Sequence, residues 1–235
     1  MSRERFLASA VAAGLPPTRR VVAGMASVFG NEAALVEAVR SLRSQVDALY
    51  LYLNRYEALP PALEGDPGIV ATLDPDGTSL GDAGKFAGLR SCGDEDLYLT
   101  CDDDIVYPPD YAERMTEALA AWGGRAAVGV HGILMLQPFA SYYDPAARVV
   151  FHFEQAQDVG RAAHVLGTGT VAFHASRVRP PLSVFESPNM ADVWFAVTHQ
   201  RHRDDVVRAA AGFSRRRRAR WSGGRCGTRR MPGGR

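Results

Sequence analysis

Lysine is nearly missing from this chain of 235 residues: Lys85 stands alone beside 26 arginines. Arginine is thus the default cation, and the exception reads in one of two ways. Either one Lys survives on a solvated helix face with its stem along the surface, or it fills a position where a planar guanidinium would not serve. A compact ammonium approaches a phosphate or carboxylate where the fork of an arginine cannot. Cysteine is also scarce. Cys92, Cys101 and Cys226 are odd in number, scattered and without CxxC spacing. That argues against a disulfide framework or a zinc site and makes a reducing cytosol the default. No run reaches the roughly 18 apolar residues needed to span a bilayer, and there is no internal repeat.

Charge is unevenly spread. The formal net charge is +1, yet positions 201–235 hold twelve Arg against two Asp. By difference, the first 200 residues carry 15 basic and 24 acidic side chains, or −9. An acidic body argues against specific nucleic-acid binding and fits a site that recruits a metal. With 46% hydrophobic residues, the chain can bury one good core as a single domain. At the start, Arg3 and Arg5 precede FLASAVAAGL, a faint echo of a short signal peptide. Because Pro16-Pro17-Thr18 leads straight into a strand, residues 1–17 read instead as an amphipathic or frayed arm.

Strand and helix patterns alternate along residues 18–207. VVAGMASVF (21–29) reads as a buried strand, and Gly30-Asn31 turns into a helix carrying Leu35, Val36, Val39, Leu42 and Val46 at helical spacing. Further strands are expected at 48–53, 69–73 and 96–101, with helices at 80–91, 111–122 and 190–201. AAVGVHG, VVFHFE and TVAFH add less regular strands. The order implies an α/β single domain with a mostly parallel, mixed sheet flanked by helices. Ligands of such sheets bind beyond the carboxyl ends of the strands. Gly30, Asn54 and Asp102 to Asp104 all fall at such ends.

Residues 97–111, LYLTCDDDIVYPPDY, carry the most chemistry. Two like charges about 4 Å apart repel by about 4 kcal/mol at an effective dielectric near 20, and a bound cation removes that cost. Alternation along a strand points Asp102 and Asp104 the same way, about 6–7 Å apart, with Asp103 turned away. Oxygen ligands of this kind suit Mg²⁺ or Mn²⁺ shared with substrate phosphates. The rival reading is an acidic loop capping the helix at 111.

Taken together, the turn at Phe29-Gly30-Asn31, SLRSQVDALYLYLN (41–54), GDAGKF (81–86), CDDDIVYPPDY (101–111), HVLGTGT (164–170) and NMADVWF (189–195) resemble a GT-A-fold glycosyltransferase of the broad family 2 type. The similarity covers roughly residues 18–205. It implies a GT-A-like domain and metal-dependent transfer of a sugar from a nucleotide-sugar, a UDP-sugar, with inversion at the anomeric carbon. The partners implied are that donor and a glycan or lipid-linked acceptor, in cytoplasmic synthesis of cell-surface polysaccharide. Two departures stand out: the usual acidic residue after the second strand is Asn54, and the usual Pro-x-Tyr-Asn after the first strand is absent.

The resemblance makes Asp102 and Asp104 the metal ligands and Asp192 the general base, against the plain alternative of an acid in a first helical turn. Asp103 would touch a ribose or a backbone amide. Lys85 would bind a phosphate or carboxylate, and Asp82 would cap its helix or bind the donor. Gly167, Thr168 and Gly169 form either a tight turn or a backbone that approaches a sugar closely. His131 lies at a strand end and would line the site. His199, seven residues after Asp192, shares its helix face; it reads as a solvated histidine rather than a third metal ligand. His152, His164 and His174 read as structural, and Trp194 and Phe195 as core.

The Arg/Gly-rich tail, 208–235, has no apolar period and cannot bury enough surface to fold alone. It would contact anionic lipid at the inner membrane face, or it is the product of a GC-rich gene read out of frame. Two rivals to glycosyl transfer remain. One is a sugar nucleotidyltransferase, which normally has a Gly-rich basic loop after the first strand. The other is a non-catalytic nucleotide- or sugar-binding relative.

Overall fold

The computed structural model describes residues 2–77, 80–138, 141, 144–152, 160–201 and 208–209. Its centre is four parallel strands. β1 (Arg20–Val28) pairs with β2 (Ala48–Asn54) on one side and β4 (Asp96–Asp102) on the other, and β3 (Ile69–Asp74) extends the sheet beyond β2. Val28 lies opposite Asn54, Asn54 opposite Asp74, and Ala26 opposite Asp102. The register therefore gathers the polar strand ends on one carboxyl edge.

Beyond β4 the sheet becomes mixed. β5 (Val128–Gly129), β6 (Gly132–Met135), β7 (Arg148–Phe151), β8 (Arg161–Ala162), β9 (Val165–Leu166), β10 (Thr170–His174) and β11 (Arg208–Ala209) are short. β10 runs antiparallel to β4, and the full order is β3-β2-β1-β4-β10-β5-β11-β8. β7, β6 and β9 form a separate small sheet. The mixed, mostly parallel α/β expectation matches this architecture. Two residues assigned to the tail, Arg208 and Ala209, belong to the sheet; the rest of the tail lies outside the described residues.

Helices cover both faces, as parallel strands buried on two sides require. On one face, α1 (Arg3–Ala12), α2 (Glu32–Arg43) and α3 (Tyr111–Ala120) pack Leu7, Leu35, Leu42 and Met115 on Leu49, Leu51 and Leu99. The first residues are thus a docked helix rather than a frayed arm: Leu7 and Ala10 are buried, and the Arg3 guanidinium donates to the Gln45 carbonyl at 2.9 Å. On the other face, Phe86, Phe173 and Phe195 meet beneath α4 (Ala191–Arg201). Among the described residues no helix is long and apolar enough to cross a membrane.

The helix expected at 80–91 is instead a run of 3-10 turns over Gly81–Ser91. Its glycines explain the tight seating. A Cβ at Gly88 would come within 2.6 Å of the Tyr50 ring, and one at Gly84 would collide with Tyr52. Bare backbone therefore presses on the aromatic face of β2. From below, Gly24 on β1 meets the Lys85 carbonyl oxygen and the Tyr98 hydroxyl, and Tyr98 Oη donates to Lys85 O at 2.8 Å. These contacts fix the backbone of Lys85 over the sheet. Gly24→Ala should lower unfolding stability by about 2–3 kcal/mol through overpacking against backbone. Urea denaturation measures it, and a change below about 0.5 kcal/mol would refute the close approach.

Candidate active site

The carboxyl edge opens into a cleft with two chambers. The larger, about 770 Å³, is lined by Ser27, Asn54, Arg55, Asp82, Lys85, Asp102 and Asp103, together with Glu186 and Asn189. The smaller, about 340 Å³, is lined by Asp82, Lys85, Asp102, His131, Gly167 to Gly169 and Asp192. Asp82, Lys85 and Asp102 belong to both, so they form the wall at which the chambers meet.

Asn54 closes the base of the larger chamber. Its amide nitrogen donates to Ser27 O at 2.9 Å and to Gly81 O at 3.2 Å. That ties the end of β1 to the start of the 3-10 run and leaves Asn54 Oδ1 buried with no hydrogen-bond partner. A free acceptor in a chamber wall is an invitation to a donor on a ligand. Arg55 follows in the left-handed region at φ 63°, a strained choice for a side chain of that size. Asp103 accepts from the Ser27 hydroxyl at 2.5 Å and from the Asn31 amide at 3.4 Å. It is therefore held by protein groups at the chamber's rim.

The wall is an electrostatic knot. Lys85 is buried, and its ammonium pairs with Asp102 Oδ1. Burial pulls its pKa down, but the charge and hydrogen bond of Asp102 and the charges of Asp192 and Asp82 hold it above the ordinary lysine value. The solvated-face reading of Lys85 is thereby excluded. Asp82 does cap a helix, but a different one from that expected: its Oδ2 accepts from Ala191 N, the first residue of α4, at 3.1 Å. Its Oδ1 is buried without a hydrogen-bond partner. Burial raises the Asp82 carboxyl above its usual value, the Ala191 amide and Lys85 oppose the rise, and Asp192 adds to it.

In the smaller chamber, Asp192 Oδ1 accepts twice from Thr168, from the amide at 2.7 Å and from the hydroxyl at 2.6 Å. Thr168 is itself buried. One carboxylate oxygen is thus fixed by the 167–170 turn. The two glycines of that turn are needed for close approach. A Cβ at Gly167 would lie 2.6 Å from the His131 ring, and one at Gly169 would collide with the Asp102 carboxylate. His131 reaches this chamber with its pKa lowered, first by burial and then by the neighbouring His152.

Not every expected residue joins the cleft. Gly30 sits at the exposed turn after β1 (φ 104°) and lines neither chamber. Asp104 is exposed and lines neither chamber; the chain turns at Asp103 and Asp104, so strand alternation stops at Asp102. Asp103, expected to point away from the site, lines the larger chamber instead. His199 is not solvated: it is buried edge-on against Phe195, with ring centroids 4.5 Å apart. Phe195 is core, as expected, whereas Trp194 is only half-buried. Sequence reasoning missed Ser27 and Arg55, although both sit at the carboxyl ends of strands, where ligands gather.

Charge balance tests whether a divalent cation fits here. Asp82, Asp102, Asp103 and Glu186 line the larger chamber against Lys85 and Arg55. Asp104 is raised by desolvation and then by the charges of Asp102 and Asp103. Such an excess of negative charge repels a diphosphate, and a hard cation with oxygen ligands relieves it. Among the described residues no group of three His, Cys, Asp or Glu is arranged to hold a metal. A cation at Asp102 would complete its shell from substrate phosphate and water, as Mg²⁺ commonly does, while Asp104 stands outside both chambers. On charge and donor chemistry the residues fit.

No protein-family model matches the chain, and no curated protein matches it. Among solved structures it is similar to a nucleotidyl transferase from Methanothermobacter thermautotroptrophicus, with a TM-score of 0.48 and 14% identity over 83% of this chain and 87% of that one. A likeness so distant bears on no residue of the cleft.

Asp103 offers a pH-dependent check. Burial raises its carboxyl, although the Ser27 and Asn31 hydrogen bonds pull it down, with Asp102 adding to the rise. A carboxyl raised in the fold binds its proton more tightly there than in the unfolded chain. Its contribution to stability is fully present below the unfolded value, 3.8, and is lost as pH rises through the folded value. Asp103→Asn should therefore melt higher than wild type at pH 7, with the gain shrinking steadily towards pH 4.5. A gain independent of pH would contradict the burial cost.

Proposed function

We propose that this chain transfers a sugar from a nucleotide-sugar, in the first instance a UDP-sugar, to an acceptor hydroxyl, with Mn²⁺ or Mg²⁺ as cofactor. The observation that carries the reading is the shared wall: one chamber of nucleotide size opens, across Asp82, Lys85 and Asp102, on a small chamber holding a fixed carboxylate. Cavities of about 300–1,000 Å³ are usual for ligands of this class. Asn54 Oδ1 would accept from a base N–H, and Asp103 from a ribose hydroxyl. Asp102 would hold the divalent cation, with substrate oxygens and water completing its shell, and the cation would neutralise the charge that grows on the departing diphosphate.

Asp192 then acts as general base. It takes the proton of the acceptor hydroxyl, whose oxygen bonds to the anomeric carbon from the face opposite the leaving group. The bond between that carbon and the diphosphate oxygen breaks, and the nucleoside diphosphate leaves with the electron pair. Inversion follows from that opposite-face attack. The Thr168 clamp leaves the second Asp192 oxygen for the acceptor.

Nucleotidyl transfer is the second reading, and it is what the name of the similar solved protein describes. The same cleft would then hold a nucleoside triphosphate and a sugar phosphate. Charge disfavours it: a phosphate nucleophile in the smaller chamber would stand among Asp82, Asp102 and Asp192, with Lys85 as its one lysine or arginine. A neutral hydroxyl meets no such penalty, and only a hydroxyl needs the base.

Product analysis separates the readings. Glycosyl transfer releases UDP from UDP-sugars with Mn²⁺ and an acceptor, nucleotidyl transfer releases pyrophosphate from UTP and a sugar phosphate, and a binding protein releases neither. Asp192→Asn should lower kcat about 10³-fold while leaving UDP affinity unchanged; unchanged kcat would overturn the base assignment. Thr168→Val, which keeps the amide bond and loses the hydroxyl bond, should lower kcat about tenfold, with Thr168→Ser restoring it. Equal loss in both variants would contradict a clamp made by the hydroxyl.

A further inference from the structure

Lys85 holds an unusual position for a substrate-binding cation, because its ammonium is already occupied. It is paired with Asp102 Oδ1, on the carboxylate that a metal at Asp102 would also use. An ammonium and a divalent cation held on one carboxylate repel each other and divide its charge. The other cation lining the larger chamber is Arg55; among the residues of the smaller one, Lys85 is the sole lysine or arginine. A diphosphate entering the wall region therefore needs the very charge that Asp102 holds back.

The local structure permits an exchange. The Lys85 backbone is clamped by the Tyr98 hydroxyl at 2.8 Å and by Gly24 beneath it, so the 3-10 run need not move. The four-carbon stem can turn between the chambers, both of which it lines. Asp82 and Asp192 line the smaller chamber with it and also attract the ammonium. The identity of the residue matters as well. An arginine would grip both Asp102 oxygens with its fork and release them reluctantly, whereas a lysine makes a single, exchangeable bond. In a chain that otherwise uses only arginine, this requirement accounts for the exception.

We propose that Lys85 is an exchangeable counter-ion: it neutralises Asp102 while the cleft is empty, cedes Asp102 Oδ1 to the metal of an incoming metal–nucleotide complex, and turns its ammonium onto a diphosphate oxygen. The inference rests on the nucleotide-diphosphate reading of the cleft. It predicts opposite effects on two ligands from one substitution. Removing the ammonium frees Asp102 for metal, yet deprives the diphosphate of a partner.

The test measures Mn²⁺ binding alone by electron paramagnetic resonance, and UDP binding at saturating Mn²⁺ by calorimetry. Lys85→Met should bind bare Mn²⁺ about tenfold more tightly than wild type and Mn²⁺-UDP about tenfold more weakly. Lys85→Arg, with the same charge, should bind bare Mn²⁺ more weakly than wild type. Lys85→Gln replaces Lys85→Met if the latter fails to fold, as judged by thermal melting, and the same opposite shifts are expected. Unchanged or weakened Mn²⁺ binding in Lys85→Met or Lys85→Gln overturns the exchange while leaving the function standing, as does Lys85→Arg behaving like wild type. Wild-type protein that binds no UDP with Mn²⁺ present overturns both.

Discussion

One buried ammonium among carboxylates organises the cleft. Asp82 comes from the 3-10 run, Asp102 from the end of β4 and Asp192 from the start of α4, and Lys85 attracts all three. Without that charge, the three carboxylates would stand beside each other at a price of several kcal/mol. With it, segments distant in sequence converge on one wall. The remaining excess of negative charge disfavours a bare anion in the cleft.

The fold supplies this arrangement through close approach more than through size. Gly24, Gly84 and Gly88 let the 3-10 run lie directly on the sheet, which brings Lys85 level with the strand ends. Gly167 and Gly169 do the same for the turn before β10, seating it against His131 and Asp102. Asp82 then anchors α4 by its first amide, so that the helix carrying Asp192 is aligned with the same wall. Apart from Gly24 against the Lys85 carbonyl oxygen, these contacts set backbone against polar or aromatic side chains. Positions of this kind tolerate little added volume, in contrast to the aliphatic face packed on α2 and α3.

Much of this was legible in the residues. Alternating patterns gave the strands and helices of the first half, and the sheet rule placed Asn54 and Asp102 on one edge before any coordinates. The solitary lysine pointed to an unusual environment. What the sequence could not show was direction. Strand alternation paired Asp102 with Asp104, but the turn beginning at Asp103 swings Asp104 outward and Asp103 into the larger chamber. Asp82 looked like the cap of its own helix because local signals carry no information about a partner 109 residues away. The pattern of GDAGKFAGL suggested an ordinary helix, whereas the segment forms 3-10 turns seated on Tyr50 and Tyr52. His199 fell on a plausible polar face, yet it is buried with its ring edge-on to Phe195.

The account stands or falls on whether a divalent ion and a nucleotide diphosphate meet at this wall. Anomalous diffraction from crystals grown with Mn²⁺ and UDP tests that directly. The expected result is one manganese peak at the Asp102 carboxylate, with the diphosphate against it and the base at Asn54. A nucleotide bound elsewhere, or a wall without manganese while Lys85 still holds Asp102, would contradict it.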